Sequence, residues 1–252
     1  MRKWLSGIPA AYPLDAAEWR ATLALPLFAH LNAGEAQRLQ ELTAQFIAAK
    51  QFSAVQGLVL TERIVQRIAA QGCLLVLNLG LAWYRGWREI IIYPDAFVPQ
   101  RSYMDEAGVV HETRYPHLGE AWQGGPLIFS AADVAGGAGD EANVVIHEFA
   151  HKLDMLDGSA NGLPPLHADM RVAAWAETFS AAYDNFCRRA DLGLEGAIDA
   201  YAAESPAEFF AVLSEVFFER PAILAQIYPP VYEQLRLFYR QDPLARSIQA
   251  SP

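Results

Sequence analysis

His147, Glu148 and His151 stand in the segment Val144-Val145-Ile146-His147-Glu148-Phe149-Ala150-His151-Lys152-Leu153-Asp154, an HExxH pattern. On a helix, positions i and i+4 face the same way, so the two imidazoles can converge on one ion. Imidazole nitrogen suits Zn2+, which imposes little geometry of its own and leaves a coordination position open for water. Glu148 lies on the flank of that face, within reach of such a water and not of the ion. The chemistry this arrangement supports is hydrolysis, with the carboxylate as general base and the ion as Lewis acid. The surrounding helix is apolar, and burying two histidines and a glutamate there without a ligand is costly. Lys152 is the awkward neighbour, accommodated if it points to solvent.

A catalytic zinc site needs a third protein ligand. His30, His111, His117 and His167 do not complete an HExxHxxGxxH arrangement. The strongest candidate lies in Tyr201-Ala202-Ala203-Glu204-Ser205-Pro206-Ala207-Glu208-Phe209-Phe210. Ser205 suits an N-cap and Pro206 the first helical position, which puts Glu208 in the first turn of an otherwise apolar helix. Ser205-x-x-Glu208 is equally a capping box, in which Glu208 only bonds the N-cap backbone. Glu215 and Glu204 lie near the same face and stay open as alternatives. Asp154, three residues after His151, is placed either to accept a bond from a ligand imidazole or as an ordinary carboxylate at a helix end.

The elements that must position these groups read as α+β. Apolar periodicity predicts helices over Asp15–Leu31, bent or ended by Pro26, and over Gly34–Lys50. A further helix starts at Thr61, with Gly72 as its stop. Glu89–Tyr93, Gly108–Tyr115 and Gly125–Ser130 are short β-rich runs bounded by Pro, Gly and Asp. Their closeness predicts a small, largely antiparallel sheet. A Gly- and Asp-rich loop over Asp133–Asp140 precedes the HExxH helix, Glu141–Met155. Residues 159–168 read as loop, and 169–190, 206–219 and 221–240 as helices. Segregated helical and strand stretches favour α+β over a repeated βαβ sheet. With no clean boundary, residues 1–252 read as one unit: a mainly helical portion, 1–87, then sheet and catalytic helices, 88–252.

Composition bounds the partners. The net charge of −10 and the 19% content of charged residues oppose direct nucleic-acid binding, which needs a basic patch. The most apolar run, Cys73–Tyr84, is broken by Asn78 and Gly80 and is too short to span a bilayer. Pro9, Pro13, Asp15 and Glu18 interrupt the N-terminal apolar stretch. With only Cys73 and Cys187, distant from each other, the expectation is a cytoplasmic protein without a disulfide framework.

The chain resembles the Mlc titration factor A family, cytoplasmic bacterial zinc peptidases of the HExxH-plus-glutamate type. The likeness rests on Glu89–Pro94, Gly125–Pro126, the HExxHKLD segment, Ile198–Ala203, Pro206–Glu208 and Phe210–Glu215. This resemblance implies a zincin-like fold, Zn2+ bound by His147, His151 and Glu208, and Glu148 as catalytic base. It further implies an aminopeptidase-like activity on peptides and binding to a repressor of the Mlc type, a glucose-responsive regulator. The AEFF string is similar, more distantly, to the catalytic domain of anthrax lethal factor, which has a tyrosine seven residues before its glutamate ligand. Tyr201 and Glu208 have that separation, which implies that the Tyr201 phenol serves the oxyanion; packing in a core or loop is its alternative role. In zincins an edge strand beside the metal helix pairs with the substrate backbone. Gly125, Pro126, Leu127 and Ile128, opening the run to Ser130, are the candidates here, with a core strand as the other reading.

Overall fold

A computed structural model of the chain describes residues 11–95, 101–104, 110–113, 119–121, 124–136, 142–194 and 196–249. Polar caps start the first helices. Asp15 caps α1 (Ala16–Leu23), which ends ahead of Pro26, and a 3-10 turn (Pro26–Phe28) follows. Asn32 and Glu35 form a capping box at α2 (Ala33–Ala49). Strand β1 (Gln51–Ala54) comes next, then α3 (Glu62–Leu75), capped by Thr61. Gly72 does not end α3, contrary to expectation. A β-carbon at Gly72 would collide with the Phe149 ring, so the glycine is there to admit that ring inside a continuing helix.

The sheet corrects the expected topology. Its order is β1, β2 (Glu89–Tyr93), β6 (Leu127–Ser130), β5 (Gly119–Ala121), and the first three strands run parallel. Only β5 at the far edge is antiparallel to its neighbour. A separate antiparallel pair joins β3 (Arg101–Met104) to β4 (Val110–Thr113), the described part of the expected run Gly108–Tyr115. The reason lies in β1, which carries too little alternation to be read as a strand. With β1 present, α3 becomes the crossover of a βαβ unit, and such a crossover makes its two strands parallel. The fold stays α+β in composition around a small, mainly parallel sheet.

Helix α4 (Ala131–Gly136) occupies part of the expected loop over Asp133–Asp140, whose remainder lies outside the described residues. It is followed by α5 (Val144–Asp154) and α6 (Val172–Asp191). Then come α7 (Pro206–Glu219), α8 (Pro221–Ile227), α9 (Pro229–Tyr239) and α10 (Pro243–Gln249). The helix expected over 221–240 is two helices, because Tyr228 ahead of Pro229 leaves the helical region at φ −130° and ψ 67°.

One apolar core runs from Trp19 through the sheet to Tyr239. Phe149, on the reverse side of the HExxH helix, is its hub near the site. Its ring meets Phe46, Tyr84, Trp87 and Phe129 at centroid distances between 5.1 and 6.2 Å. The Tyr84 hydroxyl is satisfied by the Gly72 carbonyl at 2.7 Å. Among the described residues, no helix is long and apolar enough to cross a membrane.

Candidate metal centre

Two helices that pack on each other, α5 and α7, carry the chemistry. Asn143 caps α5, its side-chain oxygen accepting from the Ile146 N–H at 3.0 Å. Ser205 caps α7 by accepting from the Glu208 N–H at 3.2 Å. Only the serine half of the capping box is used, because the Glu208 carboxylate turns to the imidazoles. Its Oε2 lies 2.9 Å from His147 Nε2 and 3.2 Å from His151 Nε2, while the two Nε2 atoms are 3.1 Å apart. Glu204 is exposed and takes no part in this cluster.

The donor set fits a metal ion. Among the described residues, His147, His151 and Glu208 are a group whose ligand atoms converge, all within 4.8 Å of one another. Tetrahedral donors about 2.0–2.1 Å from zinc stand roughly 3.3 Å apart, and the triangle here is within a few tenths of that. Two nitrogens and one oxygen are the mix that zinc accepts in catalytic sites.

Glu215, two helical turns after Glu208, sits behind the site and not in it. Its Oε1 lies 2.7 Å from His147 Nδ1, and its Oε2 accepts from the Asn143 N–H at 2.6 Å. Asn143 Nδ2 in turn donates to Gln71 at 2.9 Å and Glu219 at 2.7 Å. The residue that caps the metal helix therefore also steadies the carboxylate that orients its first histidine. An asparagine directly before Val-Val-Ile is a readable N-cap; its links to Gln71 and Glu219 have no local sequence signal.

Burial opposes a charge on His147, but bonds to Glu208 and Glu215 and the nearby carboxylate charges outweigh it and raise the imidazolium to about 10. Burial also disfavours ionisation of Glu208, yet His147 and His151 hold its carboxyl well below the usual range. The two carboxylates thus favour a proton on His147.

Glu148 is buried on the flank of α5. Tyr201 lies in the 3-10 turn Ala200–Ala203, 46% exposed, with its ring 6.1 Å from that of His147. The Tyr183 hydroxyl donates to the Ala203 carbonyl at 2.9 Å and ties that turn to α6. Asp154 is fully buried. Its Oδ2 accepts from the Asn161 and Gly162 N–H groups at 2.9 and 2.8 Å. Burial pushes its carboxyl up, against the pull of those two bonds.

Two expectations are corrected nearby. Lys152 does not reach solvent: it is 3% exposed, donates to the Gly125 carbonyl at 2.8 Å and lies 5.1 Å over the Trp87 ring. Burial draws its ammonium down to about 8. The run opened by Gly125, Pro126, Leu127 and Ile128 is not a sheet edge, since β6 is paired on both flanks and Leu127 is buried. A substrate backbone cannot pair with a strand whose hydrogen-bonding sides are both taken. The edge on that side is β5, which packs alongside α5. Beyond Glu215 and Ala200 opens a cavity of about 450 Å³, walled by Phe186, Ile198, Val212 and Val216.

The profile of the glucose-regulated metallo-peptidase M90 family matches residues 2–240. Mlc titration factor A of Yersinia pestis (strain Pestoides F) and that of Yersinia pseudotuberculosis serotype O:1b (strain IP 31758) are each 42% identical over 252 residues. Each alignment spans 98% of this chain and 92% of the relative. With a His-His-Glu cluster on the HExxH helix and its partner, and these matches over nearly all of its length, the chain belongs to the M90 family of glucose-regulated metallo-peptidases.

Proposed function

We propose that the chain is a zinc-dependent peptidase of aminopeptidase-like activity, working as a single unit in the cytoplasm. The observation that carries this reading is the meeting of His147, His151 and Glu208 at one point beside Glu148. A zinc ion held there supplies Lewis acidity, acidifying water and polarising the scissile carbonyl. Glu148 takes the proton of the attacking water and returns it to the leaving amine. The Tyr201 phenol donates to the oxygen of the tetrahedral carbon, from a half-exposed side chain whose ring stands 6.1 Å from that of His147. The peptide backbone lies along β5, the edge beside α5.

A second reading is favoured by the name of the relatives, Mlc titration factor A, which says that those proteins titrate Mlc. This chain accordingly binds a repressor of the Mlc kind, through a surface apart from the metal. The two roles separate in one experiment: metal content, peptide hydrolysis and repressor binding measured side by side on the parent and on Glu148→Gln. Stoichiometric zinc in both, hydrolysis in the parent alone and binding in both supports the two readings together. A parent that retains no zinc overturns the peptidase assignment.

A further inference from the structure

Gly162 has a positive φ of +79°, and a β-carbon built on it would stand 2.5 Å from the carbonyl oxygen of Pro206. Real β-carbons essentially never approach a heavy atom closer than 3.0 Å, so a side chain here forces the two backbones apart. The obstacle is backbone, which no rotamer change can relieve. Pro206 opens α7, and Glu208 follows two residues later in the same turn. The position of Gly162 therefore bears directly on where the third metal ligand stands.

Gly162 is itself held from two sides. The buried Asp154, at the end of the HExxH helix, accepts from the Asn161 and Gly162 N–H groups. The Trp175 indole, stacked on Phe179 at 4.2 Å, donates to the Gly162 carbonyl at 2.9 Å. A continuous path of contacts thus runs from α5, which carries two ligands, through Asp154 and Gly162 to the first turn of α7, which carries the third. The geometry points to Asp154 and Gly162 as positioning residues that gauge the distance between the two halves of the metal site. Asp154 acts through the loop backbone, as the acceptor for both N–H groups. This inference rests on the zinc reading above.

The test is zinc affinity by competition with a chromophoric chelator, on full-length protein, with circular dichroism as a check on folding. Gly57 is the internal control: its φ is also +79°, but nothing lies within 4 Å of its would-be β-carbon. Gly57→Ala shares the backbone strain without the collision. We expect Gly162→Ala to bind zinc at least about 10-fold more weakly than the parent, the range seen when the support of a ligand is disturbed, and Gly57→Ala to bind as the parent does. Asp154→Asn, which keeps an acceptor for both N–H groups, should retain affinity that Asp154→Ala loses; this pair decides the matter even where Gly162→Ala does not fold. Equal affinity of Gly162→Ala and the parent, or equal losses in Asp154→Asn and Asp154→Ala, overturns the inference. A parent without zinc affinity overturns the underlying reading instead.

Discussion

Glu215 bonds the far side of the His147 ring, with its Oε1 2.7 Å from Nδ1 while Glu208 stands 2.9 Å from Nε2. The histidine is clamped between two carboxylates of one helix, one at the site and one behind it. A neutral imidazole cannot offer both nitrogens as donors, so its Nδ1–H goes to Glu215 whenever Nε2 is presented to a metal. Replacing Glu215 with Ala should weaken zinc binding about 10–100-fold while leaving the fold in place. Chelator competition measures it, and an unchanged affinity would show that the ring needs no such orientation.

Tyr201→Phe removes one hydroxyl from a half-exposed side chain. Metal content should stay at the parent level, and kcat should fall on the order of 100-fold, as for loss of one oxyanion donor. A fall in zinc content with kcat per zinc preserved would move Tyr201 from catalysis to structure.

Lys152→Met keeps the buried stem and removes the ammonium, leaving the Gly125 carbonyl without that donor. The expected cost is about 1–3 kcal/mol of stability, read as a lower urea midpoint at unchanged slope. A stabilised variant would mean that burying the charge costs more than its bond to Gly125 returns.

Zinc uptake should release protons. In the folded protein, despite burial, the bonds to Glu208 and Glu215 raise the pKa of His147 from the ordinary 6.5 to about 10. Its imidazolium therefore stabilises the metal-free fold fully at acidic pH, and the contribution fades as pH rises through about 10. A metal must displace that proton, so apparent affinity climbs between neutral pH and about 10. Calorimetry at pH near 8 in two buffers of different ionisation enthalpy reads the release directly; a buffer-independent heat would contradict the protonated resting state.

The convergence of His147 and His151 is legible because an i, i+4 spacing is a local rule, and the place of Glu208 in a first helical turn because Ser205 and Pro206 mark a helix start on their own. Choosing Glu208 over Glu204 and Glu215 needed the crossing of α5 and α7, which no local pattern contains. Strand β1 stayed hidden because Gln51–Ala54 has only Phe52 as a strong apolar residue, and its pairing with Glu89–Ile92 is decided by partners distant in sequence. Without β1 the remaining runs suggest an antiparallel sheet with β6 at its edge; with β1 the sheet is mainly parallel and its edge beside α5 is β5. Lys152 misled for a related reason: a lysine is ordinarily solvated, and the groups that receive it, Gly125 and Trp87, lie far off in the chain.

Phe149 stands between Glu148 and His151 in sequence, yet its ring is wedged into Phe46, Tyr84, Trp87 and Phe129, against the backbone of Gly72. The HExxH helix is thereby fastened by hydrocarbon and not by the ion. The scaffold should therefore outlast the loss of a bound ion: chelator-treated protein is expected to keep its circular dichroism and to take metal back without renaturation.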